Sequence, residues 1–291
     1  RYVEVVHLRI NMRIRGNSFN DGHFKDWLYR ITYSPEYQNT SIPLPPYIYS
    51  TTILENLISR VYPRNLLLNS LQQPELPYKS AILTTRNITV DDLNDNILNR
   101  VPGTPILLLS SDVAEYDTAN GNKLFHVTSE YMQTLNPNNF PPARLSLKVG
   151  CVVMLLRNLN AQVRLCNGTR LLIREIGRFI LKVEVLKNNS NGVEQIEFIP
   201  RITLASMDGE YPFTLKRTQF PVRLSYAMTI KKSQGQSLEN VGIDLRHSAF
   251  THGQLYVALS RATNVNNISV LLQEESLSHT VEIIVYPELL Q

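Results

Sequence analysis

The stretch that decides the fold covers Val222–Leu245 and reads VRLSYAMTIKKSQGQSLENVGIDL. Val222–Ile230 alternates apolar and more polar side chains, which predicts a strand, although a helix could share part of this pattern. Val241–Leu245 predicts a second strand after a polar turn. Thr251–Gln254 fits the S/T-x-x-E/Q box that caps a helix, and Ile268–Leu272 is a third predicted strand. Strands that alternate with helices through short turns are typical of an α/β domain.

The segments upstream show the same alternation. Predicted helices lie at Gly22–Ile31, Ile53–Val61 and Val90–Leu98, and predicted strands at Tyr2–Ile10 and Ala81–Thr84. Asp91 and Asp92 fall in the predicted first turn of the third helix, where the helix dipole favours acidic side chains. The proline-rich Pro35–Pro46 is predicted to be a loop.

The middle of the chain has a different pattern of apolar residues. Short apolar runs at intervals of about 8–12 residues, with turn signals between them, predict a small antiparallel barrel. The predicted strands are Cys151–Leu156, Thr169–Ile173, Phe179–Leu186, Val193–Ile199 and Ile202–Leu204. We therefore expect a β insert at 145–205 within an α/β domain made of 1–144 and 206–291.

The amino-acid composition excludes only a few classes of protein. The chain is 43% hydrophobic and 19% charged, which excludes wholesale disorder. Its net charge of +4 is compatible with a nucleic-acid partner but too small to demonstrate one. With only Cys151 and Cys166, neither a disulfide framework nor a four-cysteine zinc cluster can form. The apolar runs are too short for a membrane helix, so no membrane partner is expected.

Two local motifs have both a functional and an ordinary interpretation. Thr229–Gly235 brings backbone amides, a hydroxyl and lysines into one turn, which suits an anion but also describes a solvated surface turn. Arg261 closes a predicted helix, where it could reach a phosphate or simply complement the helix dipole. The six histidines show no metal-ligand spacing. Alone, each motif favours the ordinary interpretation.

The order of the motifs carries more information than any one of them. They are NMR (Asn11–Arg13), TTRN (Thr84–Asn87), LKVGCVVMLLRNL (Leu147–Leu159), LCNGTRL (Leu165–Leu171), SYAMTIKKSQGQSLENVGIDL (Ser225–Leu245) and HGQLYVALSRATN (His252–Asn264). This series closely resembles the Pif1-like DNA helicases of superfamily 1, over nearly the whole chain. The resemblance implies a RecA-like second helicase domain, called 2A, split by an SH3-like β-barrel, called 2B.

The resemblance also implies roles for particular residues. Arg13 and Arg261 match the catalytic arginines of motifs IV and VI, which reach the phosphates of ATP. Gln234 and Gly235 match motif V, which couples the nucleotide site to the DNA. The positions that match residues facing single-stranded DNA are Thr84, Arg86, Asn87, Thr229, Lys231, Lys232 and Ser233. Lys231 replaces a residue that is often His in the family, so a role that needs an imidazole is not expected.

Two motifs of a complete helicase are missing from this sequence. No G-x-x-x-x-G-K-[ST] occurs, and the family's Mg²⁺-holding acidic pair is absent. Both belong to the upstream RecA-like domain, called 1A, which would hold most of the ATP and Mg²⁺. The chain opens at Arg1 without Met and reads as a fragment or a truncated gene model. The isolated chain is therefore expected not to hydrolyse ATP.

The expected function is that of the complete protein. By resemblance it translocates 5′→3′ on single-stranded DNA, unwinds duplexes and acts at DNA junctions, with domain 1A as an intramolecular partner. An intracellular location follows, with the nucleus preferred over the mitochondrion. The alternative is a non-enzymatic remnant of a helicase or mobile-element gene that only binds single-stranded nucleic acid; a further option is an interaction module that uses the barrel. The tail segment Val281–Tyr286 could pack on the domain or pair as an edge strand.

Overall fold

A computed structural model describes residues 13–14, 18–37, 40–73, 75–116, 127–137, 139–185, 195–207, 209–273 and 279–286. The predicted strand Tyr2–Ile10, and Asn11 and Met12 of the NMR motif, lie outside these residues.

The described helices are short except for two. They are α1 (Phe19–Tyr33), α2 (Leu54–Val61), α3 (Arg64–Leu68), α4 (Glu75–Tyr78), α5 (Asn87–Arg100), α6 (Ser129–Thr134) and α7 (Gln254–Leu259). Turns of 3₁₀ helix lie at Pro35–Tyr37, Ile230–Ser233 and Val265–Asn267.

The described strands have three to seven residues. They are β1 (Ser41–Pro43), β2 (Tyr49–Thr51), β3 (Ser80–Thr84), β4 (Ile106–Leu109), β5 (Ser111–Glu115), β6 (Arg144–Leu147), β7 (Val152–Leu155), β8 (Arg170–Ile176), β9 (Ile180–Val185), β10 (Ile196–Pro200), β11 (Ile202–Ala205), β12 (Thr214–Gln219), β13 (Val222–Leu224), β14 (Ala227–Thr229), β15 (Asn240–Asp244), β16 (Ile268–Leu271) and β17 (Thr280–Glu282).

The chain divides into two compact units. Unit 1 falls within Arg1–Pro63, Lys79–Val90 and Ala227–Gln291, and unit 2 within Arg64–Tyr78 and Asp91–Tyr226. These limits differ from the domain boundaries expected at 144/145 and 205/206, which stay a prediction.

Unit 1 is built on a five-stranded parallel sheet in the order β14-β3-β15-β16-β2. β3 is buried along its whole length, as expected of a central parallel strand. Helix α2 packs against β3, β15 and β16. A Cβ on Gly242 of β15 would lie 2.9 Å from Val61 of α2 and 3.1 Å from Ile82 of β3. A glycine is therefore needed for this close approach of helix and sheet.

Helix α1 confirms the amphipathic helix predicted at Gly22–Ile31 and extends it at both ends. Ser18 and Asp21 form a capping box, in which each side chain accepts a hydrogen bond from the other's backbone N–H. The apolar stripe of Phe24, Leu28 and Ile31 is fully buried. Helix α1 contacts α7, so it lies beside the residues that precede Arg261.

Unit 2 is mostly antiparallel. Its largest sheet has the order β10-β9-β8-β7-β13, and smaller sheets pair β11-β12-β5 and β4-β6. Among the described residues, Arg217 of β12 is the largest fully buried side chain, and it forms an ion pair at 2.7 Å with Asp112 of β5. Its guanidinium also donates to the carbonyls of Met132, Leu135 and Pro141, so one buried cation joins β5 and β12 to α6 and to the segment that follows it.

The strands predicted in the middle of the chain are confirmed, with bounds shifted by at most three residues. Four of them, β7 to β10, lie in one sheet together with β13, and β11 pairs instead with β12. Both of these sheets thus take strands from outside 145–205. An SH3-like barrel limited to that range stays a prediction.

Several local predictions were wrong. Val222–Ile230 is not one strand: β13 ends at Leu224, β14 begins at Ala227, and the two join different sheets. At the break, the Tyr226 backbone N–H donates to Asn94 Oδ1 at 2.9 Å rather than to a neighbouring strand, and its buried hydroxyl accepts from the Val152 N–H.

The helix ends also differ from the prediction. Helix α5 begins at Asn87, so Asp91 and Asp92 lie beyond its first turn. Helix α7 begins at Gln254 after Gly253, and Thr251 does not cap it. Half of the predicted capping box is nevertheless present, because Gln254 Oε1 accepts from the Thr251 N–H at 3.3 Å.

Two segments expected to be irregular or undecided contain strands. Pro35–Pro46, predicted as loop, includes a 3₁₀ turn and β1. The tail both packs and pairs: β17 is antiparallel to β1, and Val281, Ile283 and Val285 are buried.

Candidate functional site

Two arginines that are distant in sequence meet in unit 1. Arg13 Nη1 donates to the Ser260 carbonyl at 3.0 Å, and its Nε donates to Ser237 Oγ at 3.3 Å. Arg261 Nη2 donates to Ser260 Oγ at 2.9 Å. Both guanidinium groups therefore bind Ser260, the residue that follows α7, and the two predicted catalytic arginines are brought together.

Arg261 is held by neutral groups. Its Nε donates to the Val257 carbonyl at 2.9 Å and its Nη1 to the Gln236 carbonyl at 3.4 Å. Over the described ranges, no carboxylate forms an ion pair with it. Burial, and then the nearby charge of Arg13, lower the pKa of Arg261 to about 10. The group stays protonated at neutral pH, and an anion between the two cations would relieve their repulsion.

A second group of predicted residues lies at the carboxyl edge of the parallel sheet. Thr229 ends β14 and pairs with Thr84, which ends β3. Thr84 pairs on its other side with Asp244, the last residue of β15. Because ligands of open α/β sheets bind beyond the carboxyl ends of the strands, this row of three polar residues is a candidate binding edge.

The segments after β3 and β14 bring cations to this edge. Arg86 and Lys231 are exposed, and Lys232 is half-buried. Asn87 is exposed as well and begins α5. A ligand can therefore reach four of the residues that are predicted to face single-stranded DNA.

Two other predicted DNA-facing residues are buried. Thr84 is 1% exposed and Ser233 is 0% exposed. Ser233 Oγ donates to the Ile230 carbonyl at 2.7 Å and so closes the 3₁₀ turn that presents Lys231 and Lys232. A direct DNA contact by either side chain stays a prediction.

Gln236 connects the arginine pair to the lysine turn. Its carbonyl accepts from Arg261, and its Nε2 donates to the Lys232 carbonyl at 3.3 Å. Gln234 and Gly235, the predicted coupling residues, are exposed just before it. Gly235 has φ 87°, a left-handed conformation that favours glycine, so the turn depends on this residue.

Sequence reasoning missed Gln236, Ser237 and Ser260 as parts of the site. All three stand inside the motifs that were singled out, but their contribution is a contact between distant segments, two of them through backbone carbonyls. No residue pattern signals such contacts. One signal was present in the sequence, the hydroxyl of Ser260 directly before Arg261, which can accept a hydrogen bond from that arginine.

Metal and membrane features were searched in the described residues. There, no group of three or more His, Cys, Asp or Glu side chains could hold a metal ion. Nor does that part of the chain contain a helix long and apolar enough to cross a membrane.

Comparisons with known proteins find related helicases. The family model for the 2B domain of DNA helicase Pif1 matches residues 130–176, and the herpes helicase family model matches residues 172–282. The ATP-dependent DNA helicase PIF1 of Rattus norvegicus is 32% identical over 200 residues, 66% of this chain and 28% of the relative. The ATP-dependent DNA helicase Pif1 of Campylobacter jejuni is 29% identical over 195 residues, 65% of this chain and 41% of the relative.

A solved structure shares the fold. The Pif1 helicase of Candida albicans superposes with a TM-score of 0.62 at 21% identity, covering 93% of this chain and 56% of that one. The chain therefore spans well under half of the two curated relatives and just over half of the solved structure. This mixed-sheet α/β chain belongs to the Pif1-like helicases and corresponds to their C-terminal region.

Proposed function

We propose that this chain is the second motor domain of an ATP-dependent DNA helicase that moves 5′→3′ on single-stranded DNA and unwinds duplexes. Unit 1 would be the RecA-like domain 2A, and the antiparallel sheets of unit 2 would include the SH3-like domain 2B. One observation carries the proposal: Arg13 and Arg261 converge on Ser260, with an interval of 247 residues between Arg13 and Ser260. Two cations so placed suit the phosphates of a nucleotide.

The two arginines act on the transferred phosphoryl group. Phosphoryl transfer is catalysed mainly by positioning and by stabilising charge on the equatorial oxygens. Arg13 and Arg261 would donate to those oxygens from one wall of a cleft. The opposite wall, with the phosphate loop and the residues that bind Mg²⁺, would come from domain 1A. ATP supplies the phosphoryl group, and Mg²⁺ would neutralise its charge there.

The carboxyl edge of the sheet would be the DNA track. Arg86, Lys231 and Lys232 would bind backbone phosphates, and Asn87 and Thr229 would donate to the same strand. Single-stranded nucleic acids bind in such cationic grooves with strong salt dependence. The contacts of Gln236 with Arg261 and with the Lys232 carbonyl offer a direct route by which phosphate binding could move the track.

The first experiment replaces Arg261 in the complete protein, including its upstream domain. We expect Arg261→Ala to lower ATP turnover by about 10³- to 10⁵-fold, the range seen for arginine fingers, while single-stranded DNA binding is retained. Arg223→Ala is a suitable control, because Arg223 pairs with Asp91 in unit 2 and has no proposed catalytic role. Near-normal turnover in Arg261→Ala would overturn the assignment. DNA binding without turnover in the wild-type protein would favour the non-enzymatic remnant.

A further inference from the structure

The polar row at the carboxyl edge extends to a third strand. Asp244 ends β15 directly beside Thr84, and its side chain is 2% exposed. Arg246, two residues later, donates from Nε to Asp244 Oδ1 at 3.0 Å and from Nη2 to Oδ2 at 2.7 Å. Such a two-pronged pair fixes the guanidinium in one orientation.

Other contacts hold Arg246 next to the proposed track. The Arg246 N–H donates to Asp244 Oδ1 at 3.1 Å, so the backbone turns sharply after β15. Thr85 Oγ1 donates to the carbonyl of His247 at 3.2 Å, which ties this turn to the segment that carries Arg86. The Arg246 side chain is 38% exposed despite its ion pair, so a ligand at this edge can reach it.

We propose that Arg246 is a phosphate-binding residue of the DNA track, and that Asp244 is the positioning residue that aims it. This inference rests on the proposed function, because it adds a third strand to the track already assigned to β3 and β14. The order of the sheet then orders the cations, from the lysine turn after β14, through Arg86 after β3, to Arg246 after β15. A single strand laid across the carboxyl edge would meet them in turn.

The ion pair itself is neutral, which determines how Arg246 would act. A neutral pair adds little to the long-range field that draws DNA to the protein. Its contribution comes on contact, when the held guanidinium replaces a counterion at one phosphate. Each phosphate contact on single strands changes the slope of log K against log salt by about 0.7.

The same two strands provide a matched control. Lys79 and Glu239 form an ion pair at 3.0 Å directly before β3 and β15, at the amino ends of those strands. This pair stands five residues before Thr84 and Asp244. At about 3.3 Å per residue it lies about 16 Å from the carboxyl edge. Removing it changes the protein by one ion pair without touching the proposed track.

The test uses the 291-residue chain and a fluorescein-labelled oligothymidylate, with affinities measured over a range of salt concentrations. The charge-neutral variants are Asp244→Asn with Arg246→Ala, and Glu239→Gln with Lys79→Ala. We expect the first to reduce the salt slope by about 0.7 and the second to leave it unchanged. Arg246→Lys keeps the cation and should keep the slope, which a purely structural role would not predict.

The outcomes separate the two proposals. If Arg86→Ala reduces the slope but the Asp244/Arg246 variant behaves like the Lys79/Glu239 variant, the role of Arg246 is overturned and the track stands. If Arg86→Ala and Lys232→Ala both leave the slope unchanged, the track itself fails. Circular dichroism of each variant confirms folding, and the double variants avoid leaving a buried carboxylate without its cation.

Discussion

The arginine pair should bind a small polyanion even in the isolated chain. The pKa of Arg261 falls to about 10, about 2.5 pKa units below the usual value for arginine. At about 1.4 kcal/mol per pKa unit, the folded chain carries this charge at a disadvantage of about 3 kcal/mol at neutral pH. An anion bound between Arg13 and Arg261 would offset part of that disadvantage. A binding free energy of about 3 kcal/mol corresponds to a dissociation constant on the order of 5 mM, and we expect pyrophosphate to bind in that range.

The predicted effect is small but measurable by thermal unfolding. Pyrophosphate at about ten times its dissociation constant stabilises the folded state by about 1.4 kcal/mol. With an unfolding entropy of about 2.1 cal/mol/K per residue, a chain of 291 residues should gain about 2 °C in Tm. The reference is chloride at the same ionic strength.

Variants decide whether the arginines cause the shift. Arg13→Gln and Arg261→Gln should each lose most of the stabilisation, and Lys79→Gln, which removes a cation at the amino edge of the sheet, should keep it. Equal stabilisation of all four proteins would refute the reasoning, because pyrophosphate would then act through the solvent or through a different surface.

Two further predictions follow from buried charges. The folded-state pKa of Arg261 lies below its unfolded value, so its unfavourable contribution is complete below about pH 10 and declines as the pH rises through that value. The urea midpoint of the wild type should therefore gain relative to Arg261→Gln between pH 9 and pH 11; a constant difference would contradict the lowered pKa. Arg217→Met leaves the buried Asp112 without its cation and should lower the free energy of unfolding by about 3–5 kcal/mol. Adding Asp112→Asn should restore part of that loss in urea titrations, and strictly additive losses would exclude the buried pair.

The periodicity of apolar residues correctly predicted the helices and strands that bury one face or their whole length. The stripe of α1 and the continuous apolar runs of β3 and β16 are confirmed, because each element buries one face or its whole length. The prediction from sequence was wrong where one apolar segment is divided between two sheets. In Val222–Ile230 the alternation continues across two strands, and only the contacts of Tyr226 within unit 2 reveal the break.

The site itself was predicted through resemblance rather than through physical chemistry. Arg13 and Arg261 were named because their motifs stand in a familiar order, and nothing in composition or spacing brings them together. Conversely, Asp244 stands inside a quoted motif, but its pairing with Arg246 two residues later was not predicted. Their proposed role in phosphate binding can be inferred only from the register of β15 with β3, which places Asp244 beside Thr84. Lateral order in a sheet is a long-range property, which local sequence patterns do not encode.

The position of β13 has a practical consequence for dividing this protein. In the antiparallel sheet of unit 2, β13 covers the outer edge of β7, although 66 residues separate Leu155 from Val222. A fragment cut at 145–205 would lack this cover and expose the unpaired amides and carbonyls of Val152–Leu155, an apolar edge of the kind that recruits other chains into aggregates. It would also leave β11 without β12. A piece intended to stay monomeric in solution should therefore continue at least through Leu224.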